Sequence, residues 1–106
     1  MNLQEKRALA WVGDAVLALY AREWILTQSD IAVKERAQVF QSITSNDFLS
    51  HIGEPTGIEC QIGVIFKKNG LKAAMDHIES TLMPLFIKRR ILSKLPGRFN
   101  SKKSKA

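Results

Sequence analysis

The chain has little that staples, breaks or anchors a fold. Its 106 residues include one cysteine and three prolines. A lone Cys60 excludes an internal disulfide framework and any cysteine-rich zinc site. No apolar run reaches the roughly 20 residues a bilayer-spanning helix needs, and no lipidation pattern is present. No stretch alternates apolar and polar residues as a half-buried strand does, no hairpin turn is signalled, and no internal repeat occurs. Phosphate-cradling glycine loops are absent too, since Gly53 and Gly57 flank a proline and fit a turn. Acidic residues stop at Glu79, and eight lysines and arginines but no acid follow it.

What is there suits one small, ordinary domain. Hydrophobic residues make up 45% and charged residues 25% of the chain, enough for a modest core but not for two. Up to Glu79 the charges nearly cancel, with eight basic side chains against ten acidic ones. The net charge of +6 therefore sits at the C-terminal end. Such an end suits a polyanion, most simply nucleic acid phosphate, or else serves only as a solubilising tail. Phe99 is the only aromatic residue of its last eleven positions, so base stacking is not its evident mode. Lys6 and Arg7 before an apolar run mimic a signal peptide, but Asp14 interrupts the run, and a cytoplasmic protein is the default expectation.

Helical signals recur along the chain. Asn2 and Glu5 form a capping-box pattern, and helical texture runs on to about Leu26. Thr27 to Asp30 reads as a turn. A second helix is expected over Ile31 to Ser42, with Val33, Ala37, Phe40 and Gln41 near one face. Ser45 and Asn46 can cap a short helix through Phe48, Leu49 and Ile52 that ends at Gly53. Another runs from Thr56 to Lys68 and closes at Asn69-Gly70. The last starts near Leu71, and Pro84 either kinks it or splits off a final turn. The pattern predicts an all-α domain of about five helices over residues 1–95, with a disordered basic tail over 96–106.

Two carboxylates stand out. Ala8 to Ala21 holds Asp14 as its only charge, in a segment whose composition suits a helix buried nearly all round. A carboxylate there costs several kcal/mol, about the scale set by desolvation, unless it is paired, protonated or bound to a metal. Gly13 beside it adds about 1 kcal/mol of helix penalty. The second acid, Glu59, lies in an equally apolar segment, with Gly63 one turn beyond on the same face. Spacing alone favours a capping box in which Glu59 folds back on Thr56. If the helices instead cross at their small residues (Ala10, Ala18 and Ala21 continue the face of Asp14), the two acids face one another. They would then share a proton or bind a hard divalent cation. Separate burial of the two remains the simpler reading. His51 and His77 are not at metal-ligand spacing, and Cys60 reads as a small core residue.

These segments resemble a known family. Leu9-Ala-Trp-Val-Gly-Asp-Ala-Val-Leu17 is similar to the signature helix of the ribonuclease III catalytic domain. Glu59-Cys-Gln-Ile-Gly-Val-Ile-Phe66, with Gly70-Leu-Lys-Ala-Ala74 and Ile78, resembles its second motif. Arg36-Ala37 and Ser45-Asn-Asp-Phe-Leu49 resemble its middle helices, so the likeness spans roughly residues 3–87 in the family order. Ala10 and Thr56 stand where that family usually has two further acids. This pairing, a small residue before Gly-Asp and a short hydroxyl residue before the glutamate, resembles the Mini-ribonuclease III subfamily. Only five residues separate Gly53 from Glu59, so the longer basic region of that subfamily has no counterpart.

The resemblance implies an all-α endoribonuclease that cuts double-stranded RNA with magnesium, and for the subfamily a role in maturing ribosomal RNA. It implies that Asp14 and Glu59 hold Mg2+ and the attacking water. It also implies a homodimer formed through the signature helix, for which Trp11, Val12 and Ala15 are candidates. Lys67, Lys68, Arg89 and Arg90 are candidates for RNA contact, chiefly to phosphate and sugar. The alternative is a catalytically silent ribonuclease III fold used as an RNA-binding or ribosome-associated module. A small helical DNA-binding protein lacks support, since no helix-turn-helix spacing is evident.

Overall fold

The computed structural model describes residues 1–94, and among these the chain is helical almost throughout, with no strand. The expected tail over 96–106 lies outside the described residues. Helix α1, Leu3–Leu26, opens on the expected capping box. The Glu5 amide donates to Asn2 Oδ1 at 2.8 Å and the Asn2 amide to Glu5 Oε1 at 2.9 Å. A turn and a 3-10 segment, Val33–Glu35, lead into α2, Arg36–Thr44. Then come α3, Asn46–Leu49, capped by Ser45; α4, Pro55–Asn69; α5, Leu71–Thr81; and α6, Met83–Ser93. Gly70 joins α4 to α5 at φ 92°, a left-handed conformation that favours glycine, while its N–H still reaches Phe66 O at 2.9 Å.

Six helices among the described residues agree with the expected all-α domain of about five, the extra one arising because Pro84 splits the last segment rather than bending it. Proline removes a backbone donor and its ring clashes one turn back, so it is tolerated only in a helix's first turn. The chain therefore closes α5 at Leu82, whose N–H reaches Ile78 O, and restarts. The second helix also begins later than expected, because Glu35 Oε1 accepts the Ala32 N–H at 3.0 Å and holds a 3-10 turn first. Of the expected face, Val33, Ala37 and Gln41 are exposed, Val33 at 71%, and only Phe40 packs half-buried against the core. Ile43 is the buried residue of α2, with Val39 and Phe40 packed beside it.

Helix α1 packs against α4, α2 and α5, most extensively against α4. Leu17, Ile43, Leu49, Ile62, Ile78, Leu82 and Met83 are fully buried between them. Phe86 of α6 stands edge to face with both Trp24 of α1 (5.8 Å) and Phe48 of α3 (5.4 Å), which pins the last helix to the first and third. Tyr20 meets Glu79 of α5, and burial, with the charge and hydrogen bond of Glu79 adding to it, pushes the phenol up to about 12.

The expectation that α1 is buried all round is not met. One side of it faces the core, but among the described residues no element covers the other. Trp11 is 80% exposed, and Leu19, Leu26, Ala8 and Ala15 share its open side. Among the described residues no helix is long and apolar enough to cross a membrane.

Candidate active site

Two glycines set where α1 meets α4. A methyl group at Gly13 would overlap the backbone carbonyl of Glu59, and one at Gly63 would overlap that of Leu9. Main chain thus rests on main chain in a reciprocal contact, with no side chain between. Both glycines are buried, and their α-hydrogens point at carbonyl oxygens, the geometry of a weak Cα–H···O contact. The helix penalty of glycine is offset by this close approach.

The same contact brings the acids together. Asp14 follows Gly13, and Glu59 is the residue whose carbonyl lies on Gly13. Their carboxyls are in hydrogen-bonding contact, and the Glu59 carboxyl is pushed up to about 7. Burial is the main cause, followed by the hydrogen bond and charge of Asp14, with the charge of Glu54 adding to them. Near neutral pH Glu59 therefore still takes up a proton beside the Asp14 carboxyl. Asp14 itself is exposed, because it lies at the margin between the packed and open sides of α1. The desolvation expected of Asp14 falls on half-buried Glu59 instead. Of the two readings left open by the spacing, the structure realises the facing pair.

Glu59 is not a capping residue. Pro55 occupies the first position of α4, so the preceding Glu54 becomes the cap and its carboxylate accepts the N–H groups of Thr56 (3.0 Å) and Gly57 (2.8 Å). Lys6 Nζ lies 3.2 Å from Glu54 Oε1 and ties the start of α1 to the start of α4. These contacts, led by Lys6, lower the Glu54 carboxyl below its ordinary range. From the sequence, neither residue was assigned this role. The Glu54-Pro55 step at a helix start was the available signal; the Lys6 partner lies 48 positions away and had none.

Ala10, where the resembled family has an acid, is buried, and Thr56 is half-buried in the first turn of α4. Among the described residues no group of three or more histidine, cysteine, aspartate or glutamate side chains is placed to hold a metal. The chemistry of the donor set still fits a hard cation that keeps most of its water. Magnesium commonly takes one or two carboxylates, and two acids crowded enough to retain a proton are a place where positive charge is favoured.

The remaining candidates scatter. Lys67 and Lys68 are exposed in the last turn of α4, about 12 Å along the helix from Glu59 at 1.5 Å per residue. Arg89 is exposed on α6, whereas Arg90 is half-buried and bonded to Asp30 Oδ2 at 3.0 Å. Trp11 and Ala15 share the open side of α1, and Val12 is half-buried beside them. His51 Nδ1 contacts Asp47 O at 2.8 Å, and burial lowers the His77 imidazole. Cys60 is buried with its Sγ 3.7 Å from Met1 Sδ. In comparisons with family models, curated proteins and solved structures, no match to the chain was found.

Proposed function

We propose that the chain is a compact, magnesium-dependent endoribonuclease of ribonuclease III type that cuts double-stranded RNA, with ribosomal RNA precursors as a natural substrate class. The observation that carries this reading is the Asp14–Glu59 carboxyl pair, fixed by the Gly13–Gly63 crossing and open to solvent on its Asp14 side. Asp14 and Glu59 would hold the cation, which when bound supplies Lewis-acid polarisation of a phosphate and a more acidic water. The chain's own part is to keep two carboxylates side by side on rigid backbone and to present them at a surface that a duplex can reach.

Two copies joined through the open side of α1 around Trp11 and Ala15 would place two such pairs along one duplex, one for each strand. Lys67, Lys68 and Arg89 would contact phosphates. Arg90 is shared with Asp30 and is a weaker contributor. A cytoplasmic setting agrees with a lone, buried and reduced Cys60.

A second reading has its own observation. Ala10 is buried and Thr56 carries no charge, so only two acids converge, which favours a silent ribonuclease III fold that binds RNA without cutting it. Cleavage of a radiolabelled RNA duplex with and without magnesium separates the two. Asp14→Asn and Glu59→Gln should each slow cleavage by about 100-fold or more, the scale of losing one preorganised transition-state contact, while keeping the helical circular dichroism of the wild type. A wild-type chain that binds the duplex but never cuts it supports the silent module. Undiminished cleavage by both variants refutes the assigned site.

A further inference from the structure

A groove that shares no lining residue with the acidic pair opens between the end of α1 and the start of α2. Arg22, on its α1 side, lies about 16 Å along the helix from Trp11 at 1.5 Å per residue. The groove encloses about 450 Å³, within the range of small-molecule sites. Ile25, Leu26, Ala37 and Phe40 give it an apolar lining. Leu26 is 61% exposed and Phe40 is half-buried, so part of that lining faces solvent.

The charges that line it are of one sign. Arg22 stacks on Phe40, its guanidinium carbon 4.2 Å from the ring centroid, and one of its nitrogens reaches Ala18 O at 3.4 Å. Arg36 is the first residue of α2, whose first turn has no acid, although the positive end of a helix favours one there. Neither arginine has a carboxylate partner among the described residues, and no acid lines the groove. Glu23 and Glu35, their neighbours in sequence, lie outside it, and Glu35 accepts the Ala32 N–H. Two unpaired guanidiniums therefore border one apolar surface.

This combination selects by sign and by polarity together. A cation is repelled by both arginines and by the end of α2. A small hydrophilic anion satisfies the arginines but leaves the apolar lining wet. A neutral hydrocarbon covers the lining but gives the guanidiniums no counter-charge and strips them of water. What satisfies both is an apolar chain with a single anionic head. We propose that the groove binds a free amphipathic carboxylate of the fatty-acid kind. Its head lies between Arg22 and Arg36, since a guanidinium suits paired hydrogen bonds to a carboxylate. Its chain lies along Leu26, Ala37 and Phe40. Stacking on Phe40 holds Arg22 in place before the ligand arrives, which lowers the cost of ordering it. The inference is independent of the nuclease reading.

Isothermal titration calorimetry with dodecanoate, below its micelle-forming concentration and at low salt, tests it. Dodecanoate should bind at least about tenfold more tightly than acetate, which keeps only the head, or dodecyltrimethylammonium, which keeps only the chain, a tenfold step being about 1.4 kcal/mol. Arg22→Ala and Arg36→Ala should each weaken binding about tenfold or more. Ala37→Glu, which sets an acid into the groove from an exposed helix position, should abolish it while keeping the helical circular dichroism. Arg7→Ala removes an equal charge from an exposed position on the same helix and should leave affinity unchanged. The proposal is overturned if acetate or dodecyltrimethylammonium binds as well as dodecanoate, if neither arginine variant changes affinity, or if nothing binds at millimolar concentration. It is also overturned if Arg22→Ala abolishes self-association in sedimentation while dodecanoate affinity stays unchanged, since the groove then belongs to a second copy of the chain.

Discussion

Asp14 and Glu59 carry one electrostatic cost unequally. The sequence marks Asp14 as the expensive acid, yet Asp14 is exposed and the rise falls on Glu59, to about 7 against an ordinary 4.5. The folded chain therefore keeps a proton on Glu59 that the unfolded chain releases at lower pH. Stability contributed by this group is present below about 4.5 and is lost as pH rises through about 7. For a half-exposed group, screening by solvent reduces the effect to about 1–2 kcal/mol. Urea denaturation of wild type and Glu59→Gln from pH 4 to 8, in chelator, should show the variant gaining on the wild type as pH rises. A constant difference would contradict the shift. The comparison also removes His77, whose lowered imidazole acts in the opposite sense in both proteins. The misassigned cost has a physical origin. In Ala8–Ala21 almost every position is apolar, so no periodic polar signal reveals which side of the helix faces outward. The identity of the acid was legible and its rotation was not.

At the scale of the helix, local chemistry was readable wherever it closed locally. The Asn2–Glu5 box and the Gly70 stop required only neighbouring residues, and both are found. The Thr56–Glu59 box failed because Pro55 competes for the same turn and wins, handing the cap to Glu54. Replacing Glu54 by alanine should lower the melting temperature through loss of the N-cap, and Glu54→Asp should restore part of it; a thermal melt that does not move would deny the cap any weight. The crossing glycines give a sharper test, because two effects oppose. On an isolated helix Gly13→Ala stabilises by about 1 kcal/mol. Here the added methyl meets the backbone carbonyl of Glu59, which cannot rotate away, and the overlap should dominate. A net loss of about 3 kcal/mol or more is expected, at the upper end of overpacking costs. A variant as stable as wild type would mean that the helices do not meet at these residues.

For the whole molecule, the helical class and most element positions were legible from spacing, but the uncovered side of α1 was not. Trp11, Leu19 and Leu26 look like core residues in a sequence and become a surface only once the other helices are placed. In the proposed dimer this side is covered by a second copy. Sedimentation equilibrium at about 50 µM, where mass action favours association, should then return a dimer for wild type and a monomer for Trp11→Lys, with little change in helical signal because that side chain is 80% exposed among the described residues. A monomeric wild type would remove the shared interface from the proposal. The glycine crossing has one further consequence. Since carbonyl groups, not rotatable side chains, space the two helices, the separation of Asp14 and Glu59 has no soft intermediate value. Warming or mild denaturant should leave the proton affinity of Glu59 unchanged until the domain melts, and the two should disappear in one transition, so that a titrating carboxyl reports the integrity of the entire chain.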